Sequence, residues 1–265
     1  MARASADVAM SPALRQSEHP PEDPRRYLLA QHAYLCATHD GVVFLDLRRD
    51  KYVGLGGAQA HALSAVLQGW SGPVAHAASC ESEESQAFAI NVAELLVAEG
   101  LLTRDQTTGK RATPIVLTAE KSLVSVGEDV ETTRKIRPAD VVRFLVACVT
   151  AIYLLRTKSM VEVVRRVAAH KERSGVHAAP FDTTRTAELV AIFRRLRIYA
   201  FTASGHCLFH SLALRHFLAS YSVFPSWVVG VKTNPFAAHS WLQLNHYVMD
   251  ATPEELGSFT PILIV

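Results

Sequence analysis

Cys207 is the residue of this chain whose setting most favours chemistry. It follows Gly205-His206 and opens an amphipathic stretch, Cys207–Ala219, with Leu208, Phe209, Leu212, Phe217 and Leu218 in the apolar positions. A thiol at a helix N-terminus sits among backbone N–H groups that have no partner within the helix, at the positive end of the dipole. Both favour the thiolate, and the same N–H groups can stabilise an oxyanion. His239 lies 32 residues further on, just before the β-like run Ser240–Leu244. Asp250 ends a second β-like run, Tyr247–Asp250, across a two-residue turn at Asn245-His246. In a hairpin with that turn, His239 and Asp250 fall near the same end. The three side chains can then act as a unit. Cysteine attacks, histidine takes and returns the proton, and aspartate orients the imidazole and supports its cation.

Other readings of these residues are blander. Cys36, Cys80 and Cys148 sit in sequence without such a setting and are read as core residues; no CxxC pair or dense framework suggests a disulfide scaffold. His206 and His210 stand at i, i+4 beside Cys207, as a metal pair could. No Glu lies between them and no fourth ligand completes a set, so a zinc site is the weaker reading and no cofactor is expected. His246 is expected in solvent and His216 on a helix, and Asp250 before Ala251-Thr252-Pro253 could simply begin a turn.

The elements that must position these groups follow from periodicity. Residues 1–26 are polar with four prolines and read as a disordered lead-in. Tyr34–Thr38, Gly41–Leu47 and Lys51–Leu55 are short β-like runs, and Asp40-Gly41 between the first two predicts a type I′ hairpin. Helices are expected after Gly56-Gly57 (Ala58, Ala62, Ala65, Val66) and over Glu83–Ala98, where Phe88, Val92, Leu95 and Leu96 recur at helical spacing. Residues 106–134 are polar and read as a linker, with Ile115–Leu117 and Ser122–Val126 as possible short strands. Beyond it, Arg137-Pro138-Ala139-Asp140 suits a helix start. Val142, Leu145, Val146, Val149 and Ile152 then follow helical spacing, and further helices are expected over Ser159–Glu172 and Thr184–Ile198, capped by Ser159 and Thr184. The end of the chain is β-like at Trp227–Val231, Ser240–Leu244 and Tyr247–Asp250.

The 265 residues allow one large domain or two small ones, and 49% hydrophobic against 20% charged residues excludes wholesale disorder. Net charge is only +2, but residues 134–200 hold 14 Lys/Arg against 5 Asp/Glu while residues 1–133 hold 11 against 17. A basic middle beside an acidic front suggests two modules, or a face for an acidic partner. No secretory signal opens the chain, and its longest apolar run, Phe144–Leu155, has 12 residues between Arg143 and Arg156. A spanning helix needs about 20. A cytoplasmic protein is expected, with no membrane or nucleic-acid partner.

The order Cys–His–Asp, with His239-Ser240-Trp241-Leu242-Gln243 similar to a His-Ala-Trp-Val-Glu block and Asp250-Ala251-Thr252-Pro253 closing it, resembles the transglutaminase-like fold of cysteine peptidases. More narrowly, Cys207-Leu208-Phe209-His210-Ser211-Leu212-Ala213-Leu214, the preceding Arg194-Arg195-Leu196-Arg197 and the histidine block resemble the lasso-peptide B proteins, the leader peptidases of lasso peptide biosynthesis. This match covers about residues 135–255. In the front half, the strands Asp40–Asp46 and Lys51–Leu55 followed by helices resemble the small winged-helix-like, PqqD-like domain that recognises precursor leaders.

The resemblance implies an α+β protein in two parts: a leader-recognition domain over residues 27–105 and a transglutaminase-like/papain-like cysteine peptidase domain over residues 135–265. It implies that the leader adds as a strand beside Lys51, Tyr52, Val53, Gly54 and Leu55 and packs on the helix bearing Phe88, Val92 and Leu95. It further implies a triad of Cys207, His239 and Asp250, a precursor peptide as substrate, and an ATP-dependent, asparagine-synthetase-like cyclase as partner. Gln243 departs from the pattern, which often has Glu there, and no Gln precedes Cys207 to donate to an oxyanion; Thr202, Ser204 and the Cys207 N–H are the candidates. Two alternatives use the same residues: acyl transfer to an amine, and a non-catalytic scaffold that delivers the precursor to a cyclase.

Overall fold

The computed structural model describes residues 26–70, 82–124, 135–173, 181–200 and 207–265. The expected lead-in, Cys80, Gly205-His206, Thr202 and Ser204 therefore lie outside the described residues, apart from Arg26 at the end of the lead-in. In the front half the chain forms β1 (Leu28–Ala30), β2 (Ala33–Thr38), β3 (Gly41–Asp46), β4 (Lys51–Gly56), helices α1 (Gly57–Val66) and α2 (Glu83–Ala98), then β5 (Leu102–Thr103) and β6 (Gly109–Lys110). Strands β2, β3 and β4 make an antiparallel meander in that order, so among the described residues one long edge of β4 has no strand beside it. Strand β1 pairs separately with β5 and β6.

The later elements are β7 (Lys121–Ser122), α3 (Pro138–Thr157), α4 (Met160–Arg173), α5 (Thr183–Ala200), α6 (Cys207–Ala219), β8 (Ser226–Thr233), β9 (Phe236–Leu244), β10 (Tyr247–Val248), α7 (Pro253–Leu256) and β11 (Thr260–Ile264). The sheet runs β11-β8-β9-β10-β7, antiparallel except for β7, which lies parallel to β10.

Strand β3 explains how the halves share a core. All six of its residues are buried. Val42 and Phe44 face α1 and α2 in one cluster, while Val43 and Leu45 join Phe144, Phe193, Phe217 and Leu263 in the other. A continuous apolar run is what a strand covered on both faces requires. Helix α6 lies at the centre of the second cluster, between α3 and β9; Leu212, Ala213, Leu214, Phe217 and Leu218 are fully buried. Burial of large side chains such as Leu212 and Phe217 stabilises by about 1.5–3 kcal/mol each, so the helix that begins at Cys207 is held along its length.

Several expectations are corrected. The first hairpin turns at His39-Asp40, because Thr38 pairs with Gly41. Neither turn residue has positive φ, so the turn is not type I′. Gly41 is needed for another reason: at φ 149° a Cβ there would lie 2.0 Å from the carbonyl oxygen of Leu55 on β4. The N-cap of α5 is Asp182, whose Oδ1 accepts from the Arg185 N–H at 2.9 Å, and not Thr184. Separately from these, the polar stretch 106–134 contains β6, which pairs with β1, and β7, which pairs with β10.

In α3 the buried side is Phe144, Ala147, Cys148, Ala151 and Leu154. Val142, Leu145, Val146, Val149 and Ile152 point outward, 44% to 65% exposed. By length and composition α3 reaches what a membrane span needs, but its Phe144 side packs into the core of the domain.

Candidate active site

Among the described residues, helix α6 opens with Cys207, whose sulfur is half-buried. The His239 side chain hydrogen-bonds to the thiol, and the backbone and hydroxyl of Ser240 add further bonds; together they pull the thiol below its ordinary range against the opposing effect of burial. His239 moves the other way. Its bond to Cys207 raises its pKa first, and the charges of Cys207, Asp250 and Glu255 add to this, again against burial. Each partner favours the charged form of the other, so the pair tends toward thiolate and imidazolium. The other described cysteines contrast sharply. Burial pushes Cys36 up to about 12 and Cys148 up to about 11.

Strand β9 explains how His239 reaches the thiol. His239 lies within β9, opposite Gly230 of β8, rather than ahead of the strand as its sequence suggests. Pairing with β10 covers only Gln243 and Leu244, which leaves the His239–Ser240 segment open on that edge to meet Cys207. The period of two puts His239, Trp241 and Gln243 on one face. The His239 ring stacks on Trp241 (centroids 6.2 Å apart, planes 16° apart) and leans on Phe259 at 5.5 Å. Gly230 makes room for this stack, because a Cβ there would come within 2.7 Å of the Trp241 ring.

The opposite face of β9 sets the rotation of the helix. Ser240 Oγ and Ser211 Oγ are 2.8 Å apart, and Trp227 Nε1 donates to Ser211 Oγ at 2.9 Å. Ser211 is four residues after Cys207, one turn along the same face of α6. The serine in the Cys-Leu-x-x-Ser pattern thus fixes the thiol against Ser240.

Asp250 lines the same pocket as Cys207 and His239, a space of about 250 Å³ that Arg197, His210 and Glu255 also border. It lies two residues beyond β10, not at a strand end. Its Oδ2 is 3.2 Å from His210 Nδ1, while its buried Oδ1 has no hydrogen-bond partner. No hydrogen bond joins Asp250 to His239 among the described residues; the aspartate acts on that ring through its charge. His210, weighed in sequence only as a metal ligand, instead uses Nδ1 on Asp250 and Nε2 beneath Arg197. Among the described residues no group of three His, Cys, Asp or Glu could hold a metal ion.

Gln243 is 1% exposed, and its side chain is fully used. Its amide donates to the carbonyls of Thr118 at 2.7 Å and Asn245 at 3.0 Å and accepts from Trp241 Nε1 at 3.3 Å. A carboxylate cannot donate. Gln243→Glu is therefore expected to set a buried charge against two carbonyl oxygens and cost about 2–3 kcal/mol. Differential scanning calorimetry should show Tm lower by roughly 5–10 °C.

The residues expected to receive a leader divide. Lys51, Tyr52, Val53, Gly54 and Leu55 all lie on β4 beside its unpaired edge. On α2, Phe88 and Leu95 are exposed, but Val92 is buried in the front core and cannot share their surface. The surprise is Tyr52. Its ring packs edge-on against Phe236 of β9 at 5.4 Å, and burial pushes its phenol up to about 12, with the charges of Asp50 and Cys207 contributing. The start of β4 thus packs on β9, within reach of the Cys207 charge. Nothing in the local pattern of Lys51–Gly56 signals this, because it depends on Phe236 of β9 arriving from 184 residues away in sequence.

No curated protein and no solved structure shows significant similarity to the chain. A family model described as the transglutaminase-like superfamily matches residues 145–264, so the segment that carries Cys207, His239 and Asp250 is a transglutaminase-like domain.

Proposed function

We propose that this chain is the leader peptidase of lasso peptide biosynthesis. The observation that carries the reading is that Cys207 and His239 line one pocket, each favouring the charged form of the other, inside a transglutaminase-like domain. Such domains house cysteine-dependent hydrolysis and acyl transfer. The location of β4 supports a peptide substrate, because this strand, with one edge unpaired among the described residues, packs through Tyr52 on the strand that carries His239.

The precursor's leader adds to β4 through main-chain hydrogen bonds, and the leader–core junction reaches Cys207. The thiolate attacks the carbonyl carbon of that junction, and the oxyanion forms near the first N–H groups of α6. As the C–N bond breaks, the His239 imidazolium gives its proton to the leaving nitrogen and frees the amine of the core. The leader is then held as a thioester. Water, losing a proton to His239, releases it as a carboxylic acid and restores the thiolate. A separate ATP-dependent, asparagine-synthetase-like cyclase joins the freed amine to an acidic side chain of the core.

Incubation with the precursor encoded beside this chain, read by mass spectrometry, tests the reading. Hydrolysis leaves a leader ending in a carboxylic acid; an amine-accepting acyltransferase would leave a leader amide when an amine is added. For docking, Val53→Pro removes a main-chain donor in β4. It should weaken binding of a labelled leader by about tenfold or more in fluorescence polarisation. Unchanged affinity would place the leader elsewhere.

A further inference from the structure

An unsatisfied buried acceptor faces the pocket of the histidine. Asp250 Oδ1 is a buried acceptor with no hydrogen-bond partner among the described residues, and the His239 ring, bonded to Cys207, is half-buried. Both residues line the same space of about 250 Å³. A buried polar atom without a partner is rare and costly in a folded protein. Here the open acceptor lines the same pocket as the His239 ring, whose cation the Asp250 charge supports.

The other carboxylate oxygen is held in place. Arg197 Nη1 lies 2.9 Å from His210 Nε2. A guanidinium can only donate, so Nε2 accepts and the proton sits on Nδ1, which donates to Asp250 Oδ2 at 3.2 Å. Both side chains of this contact are nearly buried, at 8% and 4% exposure. The His210 ring is further packed against Phe193 at 5.5 Å. Arginine thus sets the histidine tautomer, and the histidine sets the carboxylate.

We propose that Arg197 and His210 are positioning residues that clamp Asp250 through Oδ2, so that Oδ1 stays aimed at the His239 ring and receives its N–H during the reaction. The inference rests on Cys207, His239 and Asp250 acting together. The clamp acts one step removed from the reacting atoms, as partners of a metal-ligating or catalytic histidine often do. The charged or titratable groups that share the pocket with the His239 ring are Cys207, Asp250, Glu255, Arg197 and His210, with Lys232 over the Phe259 ring.

The test compares wild type, His210→Ala and His210→Asn by two readouts. One is kcat and KM for precursor cleavage. The other is the rate of Cys207 carbamidomethylation against pH, which needs no natural substrate. Without the clamp, Asp250 no longer supports the imidazolium, so the upper limb, where His239 loses its proton, should move to lower pH in His210→Ala. Its kcat should fall by about 10- to 100-fold with KM within about twofold, the signature of lost support for proton transfer. An asparagine amide can replace Nδ1 as donor, so His210→Asn should recover most of both. A folded His210→Ala with wild-type kcat and an unmoved limb would overturn the proposal, as would His210→Asn behaving no better than alanine. If alanine at 210 unfolds the protein, Arg197→Met, which releases the tautomer, must show the same movement of the limb. A wild-type profile with no imidazole-linked limb would instead remove the Cys207–His239 pair, and this inference with it.

Discussion

Cys207→Ala should abolish release of the core peptide, lowering the cleavage rate by at least about 10³-fold, the scale on which removal of a nucleophile acts in triad enzymes. The effect should be chemical only. The Cys207 side chain is half-exposed at the end of a helix whose packing residues, from Leu212 to Leu218, are untouched, so Tm should hardly change. Leader affinity should also persist, because β4 is intact. Mass spectrometry of the products, with polarisation titration of the same variant, separates the outcomes. A delivery scaffold would keep its function without the sulfur; a peptidase would bind and not cut.

His239→Gln should be nearly as severe, with cleavage reduced by about 10³-fold at neutral pH. The amide can hydrogen-bond but cannot move a proton. The pH dependence carries the sign. In the wild type, activity falls at low pH as the thiolate is protonated, and this limb lies below the ordinary thiol range because His239 and Ser240 lower the pKa of Cys207. Activity falls again at high pH as His239 loses its proton, and that limb lies above the ordinary imidazole range because Cys207 raises it. In His239→Gln the largest cause lowering the thiol is gone, burial is less opposed, and the low-pH limb should shift upward toward the behaviour of Cys36 and Cys148. Residual activity measured from pH 5 to 10 checks the direction of that shift.

The parts of this site that depend on local pattern are legible in the sequence. The amphipathic run after Gly205-His206 marks a helix, and the described residues carry it over Cys207–Ala219 as periodicity suggests. The Asn245-His246 turn is equally local: Leu244 pairs with Tyr247, and Asn245 takes φ 54°, a conformation asparagine tolerates. What escapes the sequence is decided by contacts made across the fold. Asp40-Gly41 reads as a turn, but the glycine is required by the close approach of the Leu55 carbonyl. Helix α3 is apolar on both sides, so spacing marks Val142 and Val149 as readily as Phe144 and Leu154, and only the arrival of α6 selects the buried face. His210 has the i+3 spacing of an ordinary helix neighbour of Cys207; its role on Asp250 exists because a chain segment 40 residues later lies against α6. Phe259, which packs on the His239 ring, leads into β11, an edge strand with no sequence signal as clear as the hairpin before it.

Gln243 shows how a departure from a family pattern can be structural. It sits four residues from His239 on the same strand face, yet its three hydrogen bonds go to Thr118, Asn245 and Trp241. It ties the segment before β7 to the β9–β10 turn and steadies the Trp241 ring on which His239 stacks. Its amide suits that task as a carboxylate would not.

The central claim is that the sulfur of Cys207 is held as a thiolate by His239, and alkylation kinetics read this directly. Purified protein is treated with limiting iodoacetamide across pH 5 to 10, and modification at Cys207 is followed by peptide mass spectrometry in wild type and His239→Gln. The account predicts that Cys207 reacts rapidly well below the ordinary thiol range while Cys36 and Cys148 stay inert, and that the reaction at low pH disappears in His239→Gln. A Cys207 that reacts only in the ordinary thiol range or above, with the same profile in both proteins, would contradict it.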